Sequence, residues 1–134
     1  MEIETLSVRN LLDKNYDVLP FTGRWHEAFG TPTAYGTWFI YGMSSSGKTS
    51  FTMQLVKYLD ELGIRIGYLS LEESTGLTFQ RAVIRANWRE KGSGIRLIKP
   101  ACVDDVDEWL SDKVRKRPNV LVVDTIQYWG LTFK

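Results

Sequence analysis

The stretch Trp38-Phe-Ile-Tyr-Gly-Met-Ser-Ser-Ser-Gly-Lys-Thr49 decides the fold of this chain. Its apolar and aromatic start, Trp38 to Tyr41, predicts a short strand, and Gly42 to Thr49 follow with the pattern G-x-x-x-x-G-K-[ST]. An amphipathic segment from Lys48 to Leu62 comes next and stops at Gly63, which is typical of a helix with a left-handed C-cap. The sequence therefore predicts a strand, a glycine-rich turn and a helix in immediate succession.

The glycine-rich turn has the composition of a phosphate-binding P-loop. A polyphosphate needs several backbone N–H groups directed at one point, and glycine leaves room where a Cβ would block the turn or the oxygens. The N-terminus of the following helix adds partial positive charge. We predict that the loop binds ATP and Mg²⁺, with Lys48 at the β and γ phosphates and the Thr49 hydroxyl as a magnesium ligand. The predicted ATP-binding residues are Gly42, Met43, Ser44, Ser45, Ser46, Gly47, Lys48, Thr49 and Ser50.

Short apolar runs alternate with longer amphipathic segments after Gly36, which indicates βαβ units and a parallel sheet. We expect a lead-in over residues 1–36, with a short helix behind a cap at Ser7, and a P-loop core over 37–134. The core should be a three-layer α/β/α domain with a mostly parallel sheet of about four strands. Those strands are predicted at Trp38–Tyr41, Ile64–Leu71, Ile95–Ile98 and Val120–Val123, and the later helices at Thr78–Trp88 (with Phe79, Val83 and Ile84 inward) and Asp104–Arg117.

Carboxylates follow two of the predicted strands. Asp124 ends Val120-Leu-Val-Val-Asp, at the strand tip where α/β sheets place their ligand crevice, so it either associates with the metal or caps a turn. Glu72 and Glu73 follow the second strand, where a carboxylate either activates a water molecule or adds a favourable charge to the first turn of a helix.

Three of these segments resemble RecA-like ATPases in order and spacing: Gly42 to Thr49, Tyr68-Leu-Ser-Leu-Glu-Glu73 and Val120 to Gln127. They look most like the replicative-helicase (DnaB-like) branch, and the lead-in from Phe29 to Trp38 is also similar. The chain further resembles small phage-encoded ATPases of this type. The resemblance implies that Glu72 is the catalytic base, that Asp124 supports Mg²⁺, and that the protein acts on DNA in replication or recombination.

One feature of those families has no counterpart in this sequence. They place a further strand, bearing a polar sensor residue, between the Walker B strand and the P-loop strand, whereas this sequence ends at Lys134. We therefore expect the fold to be incomplete at the C-terminus. Either the chain is a truncated form of a longer protein, or a homo-oligomer or partner chain completes the sheet. Gln127 is predicted to be a solvated loop residue rather than a nucleotide contact.

The bulk composition gives little evidence for a nucleic acid partner and argues against a membrane partner. A formal net charge of +1 over 134 residues gives no general evidence for nucleic acid, although residues 81–99 are locally basic. Arg81, Arg85 and Arg89 would form one stripe on a helix, which either binds single- or double-stranded DNA or is a solvated face. The single cysteine, Cys102, and the lack of a long apolar run predict a cytoplasmic protein without a membrane partner.

Three functions remain open from the sequence. The first is a Mg²⁺-dependent ATP hydrolase with Lys48 and Glu72 as catalytic residues. The second is a P-loop kinase for a small molecule or nucleotide, in which the basic segment supplies a lid over the phosphates. The third is a module that binds ATP without hydrolysing it and uses it for assembly or docking.

Overall fold

The computed structural model describes residues 2–42, 47–70, 76–99, 102–111 and 118–124. The chain divides into two compact units, residues 1–40 and residues 41–134. The boundary predicted after Gly36 lies shortly before this division. No helix of the described ranges is long and apolar enough to cross a membrane.

The first unit is held together by aromatic side chains. Helix α1, Val8–Leu12, begins as predicted behind Ser7, whose Oγ accepts a hydrogen bond from the backbone N–H of Asn10 at 3.1 Å. A second helix, α2, spans Gly23–Phe29 and was not predicted. The buried Phe21 ring meets Trp25 edge-on, with 6.4 Å between ring centroids. Such aromatic packing gives this short unit an apolar centre.

The second unit contains a parallel sheet. Its described strands are β1 (Ile66–Ser70), β2 (Ile95–Ile98) and β3 (Val120–Asp124), in the order β2-β1-β3. Every residue of β1 is buried, whereas β3 is half-buried throughout. The mixed α/β class with a parallel sheet is confirmed, and the described part of the chain has three strands instead of about four.

The strand predicted at Trp38–Tyr41 is wrong. These residues belong to no strand of the structure, and their side chains are 38% to 82% exposed. An apolar run becomes a strand only where a neighbouring strand accepts and donates its backbone hydrogen bonds. Among the described residues β3 pairs with β1 alone, and none of the described strands pairs with Trp38–Tyr41.

Helix α3, Lys48–Glu61, follows the prediction closely. It buries Met53, Leu55, Val56 and Leu59 and ends before Gly63, which has a φ of 83°. At this φ an L side chain is strained, so the glycine stops the helix where the sequence predicted. The helix therefore places Lys48 and Thr49 in its first turn.

Helix α4, Leu77–Ala86, begins and ends earlier than predicted. Its buried residues are Phe79, Ala82 and Ala86, while Ile84 is 69% exposed, so the prediction of an inward Ile84 is wrong. The stripe at i, i+3 and i+7 places the small alanines against the core. Asn87 adopts the left-handed conformation with a φ of 58° and ends the helix before Trp88.

Helix α5 spans Val103–Ser111 and begins close to the predicted start. Its acidic first turn carries Asp104 and Asp105, which complement the helix dipole. The predicted continuation to Arg117 falls on residues 112–117, outside the described ranges.

The outer edge of β2 is capped by its own side chains. Ile66 donates its backbone N–H to Gly94 at 3.0 Å, so in this parallel ladder the backbone groups of Ile95 point away from β1. The Ile95 N–H donates to Ser93 Oγ at 3.1 Å, and the Ile95 carbonyl accepts from the Arg96 guanidinium at 3.3 Å. These bonds protect part of this edge from pairing with another strand.

Candidate functional site

The start of α3 has the backbone form of an anion-binding helix terminus. Gly47 precedes the helix in the left-handed conformation, with φ 88° and ψ 14°, and supplies no capping side chain. The first-turn N–H groups of a helix have no partner within the helix, and together with the dipole they favour a negative charge. The structure thus places Lys48 and Thr49 beside a terminus suited to phosphate oxygens.

Lys48 reaches back to the first residue of the glycine-rich motif. Its Nζ donates a hydrogen bond to the Gly42 carbonyl oxygen at 2.7 Å. The Lys48 ammonium therefore lies beside Gly42, the first residue of the motif. Met43, Ser44, Ser45 and Ser46 lie outside the described residues.

Thr49 and Asp124 meet although they are far apart in sequence. The Thr49 Oγ1 donates to Asp124 Oδ2 at 3.1 Å, which joins the first turn of α3 to the last residue of β3. Both side chains are partly buried. The two residues that were predicted from separate motifs to associate with Mg²⁺ are therefore direct neighbours.

A third side chain reaches the same carboxylate oxygen. The Tyr68 hydroxyl donates to Asp124 Oδ2 at 3.1 Å. Tyr68 is only 1% exposed, and its ring packs against Phe79 and Trp88 with centroid distances of 5.5 and 5.6 Å. Sequence reasoning missed this residue, since only the register of β1 against β3 shows that the two strands present Tyr68 and Asp124 on one face.

The oxygen ligands present fit a magnesium ion that is bound mainly through a nucleotide. Mg²⁺ usually keeps several waters and takes one or two protein oxygens plus phosphates, rather than a full protein cage. Asp124 and Thr49 supply a carboxylate and a hydroxyl oxygen within hydrogen-bond distance of each other. The described side chains include no group of three or more His, Cys, Asp or Glu that could hold a metal ion.

Several predicted site residues lie where the structure gives no description. Glu72 and Glu73 belong to residues 71–75, and Gln127 belongs to residues 125–134. Ser50 is described, lies in the first turn of α3 and is exposed. The roles predicted for these residues therefore remain predictions.

Arg89 does not belong to the predicted basic stripe. It lies beyond the end of α4, because Asn87 ends that helix, so the stripe of Arg81, Arg85 and Arg89 on one helix is wrong. Arg89 instead forms a salt bridge with Asp60 near the C-terminal end of α3, at 3.0 Å between Nη2 and Oδ1. Arg81 and Arg85 remain on α4, and both are exposed.

The Asp60 carboxylate is buried and accepts hydrogen bonds from three residues. Besides Arg89, it accepts from Ser93 Oγ at 3.1 Å and from the Gly94 N–H at 2.7 Å. Burial by itself raises the pKa of Asp60, but the hydrogen bonds from Arg89, Gly94 and Ser93 outweigh it and hold the pKa below its ordinary value. The same hydrogen bond from Arg89 to Asp60 raises the pKa of the guanidinium. This cluster fixes the loop before β2 to α3.

Comparison with protein-family models, with curated proteins and with solved structures gives no match. The residues at the start of α3 and at the end of β3 therefore carry the functional inference by themselves. Their arrangement suits a phosphate group beside the helix start and a divalent cation next to Asp124.

Proposed function

We propose that this protein binds ATP and Mg²⁺ at the start of α3. The observation that supports it most is the hydrogen bond from Thr49 Oγ1 to Asp124 Oδ2, because it joins two residues that separate motifs predict to bind Mg²⁺. Lys48 would contact the β and γ phosphates, and the first-turn N–H groups of α3 would bind phosphate oxygens. Thr49 and Asp124 would hold Mg²⁺, which supplies positive charge to the phosphate oxygens.

Removal of the Lys48 ammonium tests the binding proposal. Lys48→Ala should abolish ATP binding, measured by isothermal titration calorimetry with Mg²⁺ present. Lys57→Ala is the matched control, since it removes the same charge from the same helix away from the turn, and it should bind ATP like the wild type. Equal ATP affinity in both variants would overturn the proposal.

We further propose that the bound ATP is hydrolysed, with Glu72 as the base that activates water. Ser70 ends β1 opposite Asp124, and Leu71, Glu72 and Glu73 come next in the sequence. The carboxyl ends of parallel strands lie at the edge of the sheet where α/β proteins place their ligand crevice. Glu72→Gln should lower phosphate release by about a hundredfold or more while Mg²⁺-dependent ATP binding persists. Glu73→Gln is the control and should retain turnover.

Phosphate release by the wild type and by Glu72→Gln separates the three functions. Loss of phosphate release in Glu72→Gln alone supports an ATPase. Turnover that appears only with an added acceptor hydroxyl would make the protein a kinase instead. Tight ATP binding without turnover in the wild type would leave a binding module that uses ATP for assembly.

We propose, in addition, that the protein acts on DNA in replication or recombination. Arg81 and Arg85 are exposed on α4, and Arg96 and Trp88 line a cavity of about 500 Å³ beside β2. Phosphate contacts by arginine and stacking on an indole are the usual means of binding single strands. An Arg81→Gln and Arg85→Gln double variant should bind labelled single-stranded DNA more weakly, in fluorescence anisotropy at low salt.

The matched control for DNA binding removes two charges elsewhere. Arg9→Gln with Lys14→Gln lowers the net charge equally in the first unit and should leave DNA affinity close to that of the wild type. Equal losses in both double variants would indicate general charge attraction, and no DNA binding by the wild type would remove this role.

We also propose that a second copy of the chain, or a partner chain, supplies a strand that pairs along β3. The support is that β3 pairs only with β1 in the described part of the chain. Light scattering with and without Mg²⁺ and ATP should then show a mass above that of one chain. A monomer under both conditions would exclude the second copy.

A further inference from the structure

Three elements of the second unit direct a hydroxyl or a carboxylate to one point. Thr49 comes from the first turn of α3, Asp124 from the end of β3 and Tyr68 from the middle of β1. Both hydroxyls donate to the same atom, Asp124 Oδ2, and both distances are 3.1 Å. One carboxylate oxygen thus accepts two neutral donors from different elements.

The position of the Tyr68 hydroxyl follows from the strand register. Tyr68 pairs with Val122 and Ser70 pairs with Asp124. Tyr68 therefore lies two residues before the position in β1 that is opposite Asp124. Paired residues of parallel strands point to the same face, and so do residues two apart in one strand. Tyr68 and Asp124 therefore share a face, and the long phenol side chain spans the offset between them.

The aromatic ring of Tyr68 is fixed independently of its hydroxyl. It packs against Phe79 of α4 and against Trp88, and the Trp88 Nε1 donates to the Met53 carbonyl of α3 at 3.0 Å. A ring held in this way has little freedom to swing. Its hydroxyl is therefore a rigid donor to Asp124, unlike a water molecule or a mobile surface side chain.

We propose that Tyr68 is a positioning residue for the metal site, which holds the Asp124 carboxylate in the orientation that accepts Mg²⁺. This inference rests on the proposed binding of ATP and Mg²⁺. With Oδ2 directed by Tyr68 and Thr49, the carboxylate is oriented before the cation arrives. Groups that orient metal ligands from behind typically change metal affinity by about 10- to 100-fold when they are removed.

The test replaces only the hydroxyl. Tyr68→Phe keeps the ring and its packing, and Tyr35→Phe makes the same chemical change at a tyrosine that is 58% exposed. ATP binding is measured by calorimetry at a series of Mg²⁺ concentrations and again in EDTA. In Tyr68→Phe the Mg²⁺ concentration for half-maximal enhancement should rise about tenfold, while affinity for ATP in EDTA should not change. Tyr35→Phe should match the wild type in both.

A double-mutant cycle separates positioning from general structural support. In an Asp124→Asn background, Tyr68→Phe should no longer alter the Mg²⁺ dependence, because the carboxylate that it orients is gone. If Tyr68→Phe shifts ATP affinity equally in Mg²⁺ and in EDTA, or keeps its effect in the Asp124→Asn background, the positioning role is wrong.

The same experiments distinguish this inference from the proposed function. A wild type that binds ATP with Mg²⁺, a Lys48→Ala variant that does not, and a Tyr68→Phe variant with unchanged Mg²⁺ dependence would overturn the positioning role alone. A wild type that binds no ATP would overturn both.

Discussion

A buried or half-buried carboxylate lies near each end of α3, and the two carboxylates have different partners. Near the C-terminal end, Asp60 accepts hydrogen bonds from the cationic Arg89, from Ser93 and from the Gly94 N–H. Near the N-terminal end, Asp124 accepts from the hydroxyls of Thr49 and Tyr68, which bring no formal charge. The charge of Asp60 is matched by the charge of Arg89 within the fold, whereas the two hydroxyls that donate to Asp124 are neutral.

This contrast predicts a structural role for Asp60 and, with the proposed function, a metal-binding role for Asp124. A buried carboxylate with a guanidinium partner and a backbone amide has its hydrogen-bonding capacity met, so its removal should affect folding. If the carboxylate that accepts from the two hydroxyls holds Mg²⁺, removal of that carboxylate should affect metal binding more than folding. The predictions that follow test this division from the largest expected effect to the smallest.

Removal of the Asp60 carboxylate should have the largest effect on stability. Asp60→Ala leaves the Gly94 N–H and the Ser93 hydroxyl without their acceptor, and we expect a loss of about 3 kcal/mol in the free energy of unfolding. Urea denaturation followed by circular dichroism measures it. The exposed neighbour Glu61 gives a matched control, since Glu61→Ala should change stability by less than about 0.5 kcal/mol. Equal losses in the two variants would contradict a structural role that is specific to Asp60.

Removal of the Asp124 charge should affect the metal instead. Asp124→Asn should raise the Mg²⁺ concentration for half-maximal enhancement of ATP binding by about 10- to 100-fold, because the carboxylate oxygen is replaced by a weaker, neutral ligand. Calorimetry over a range of Mg²⁺ concentrations measures the shift. Asp60→Asn serves as the comparison and should retain the Mg²⁺ dependence of the wild type at temperatures where it is folded. The reverse result would assign the two carboxylates the other way round.

Loss of the indole hydrogen bond to α3 should have a smaller effect. Trp88→Phe keeps an aromatic ring beside Tyr68 but removes the Nε1–H that donates to the Met53 carbonyl, so we expect a loss of about 1 kcal/mol in unfolding free energy. Chemical denaturation checks it. Trp109→Phe, at a tryptophan that is 38% exposed, is the control and should lose less.

Protonation of Asp60 should have the smallest effect, since it removes the charge but leaves the carboxyl group in place. The folded-state pKa of Asp60 lies below the ordinary value of 3.8, so its stabilising contribution is present above that value. It is lost as the pH falls through the lower folded pKa. Unfolding free energies measured from neutral pH into the acidic range should therefore decline less steeply in Asp60→Asn than in the wild type, and an identical decline would contradict the assignment.

The sequence predicted those parts of the fold that depend on neighbours along the chain. Helix α3 and its stop at Gly63, the cap at Ser7 and the strand Ile95–Ile98 lie as predicted, because helical periodicity, capping and β-branched runs are local signals. The strand at Trp38–Tyr41 was predicted by the same local signal and is wrong. Its formation depends on a partner strand, which no local pattern supplies.

The same division applies to the candidate site. The spacing of glycines, Lys48 and Thr49 predicts a phosphate-binding turn, and the apolar run before Asp124 predicted the strand that ends there, since each motif is contiguous. The inclusion of Arg89 in a helical stripe failed because Asn87 turns the chain into the left-handed conformation and directs Arg89 to Asp60. A single residue that ends a helix changes the direction of the chain for the residues after it.

By itself, the sequence determined the local pattern of this protein: alternating α and β segments, a glycine-rich motif that predicts phosphate binding, and a carboxylate at the end of a strand. Only the tertiary structure decided which groups meet. It brought Thr49, Tyr68 and Asp124 to one oxygen atom and matched the charge of Asp60 with that of Arg89. The physical reason is that register and layer packing are set by interactions between segments far apart in the chain, and these distances do not appear in any contiguous pattern.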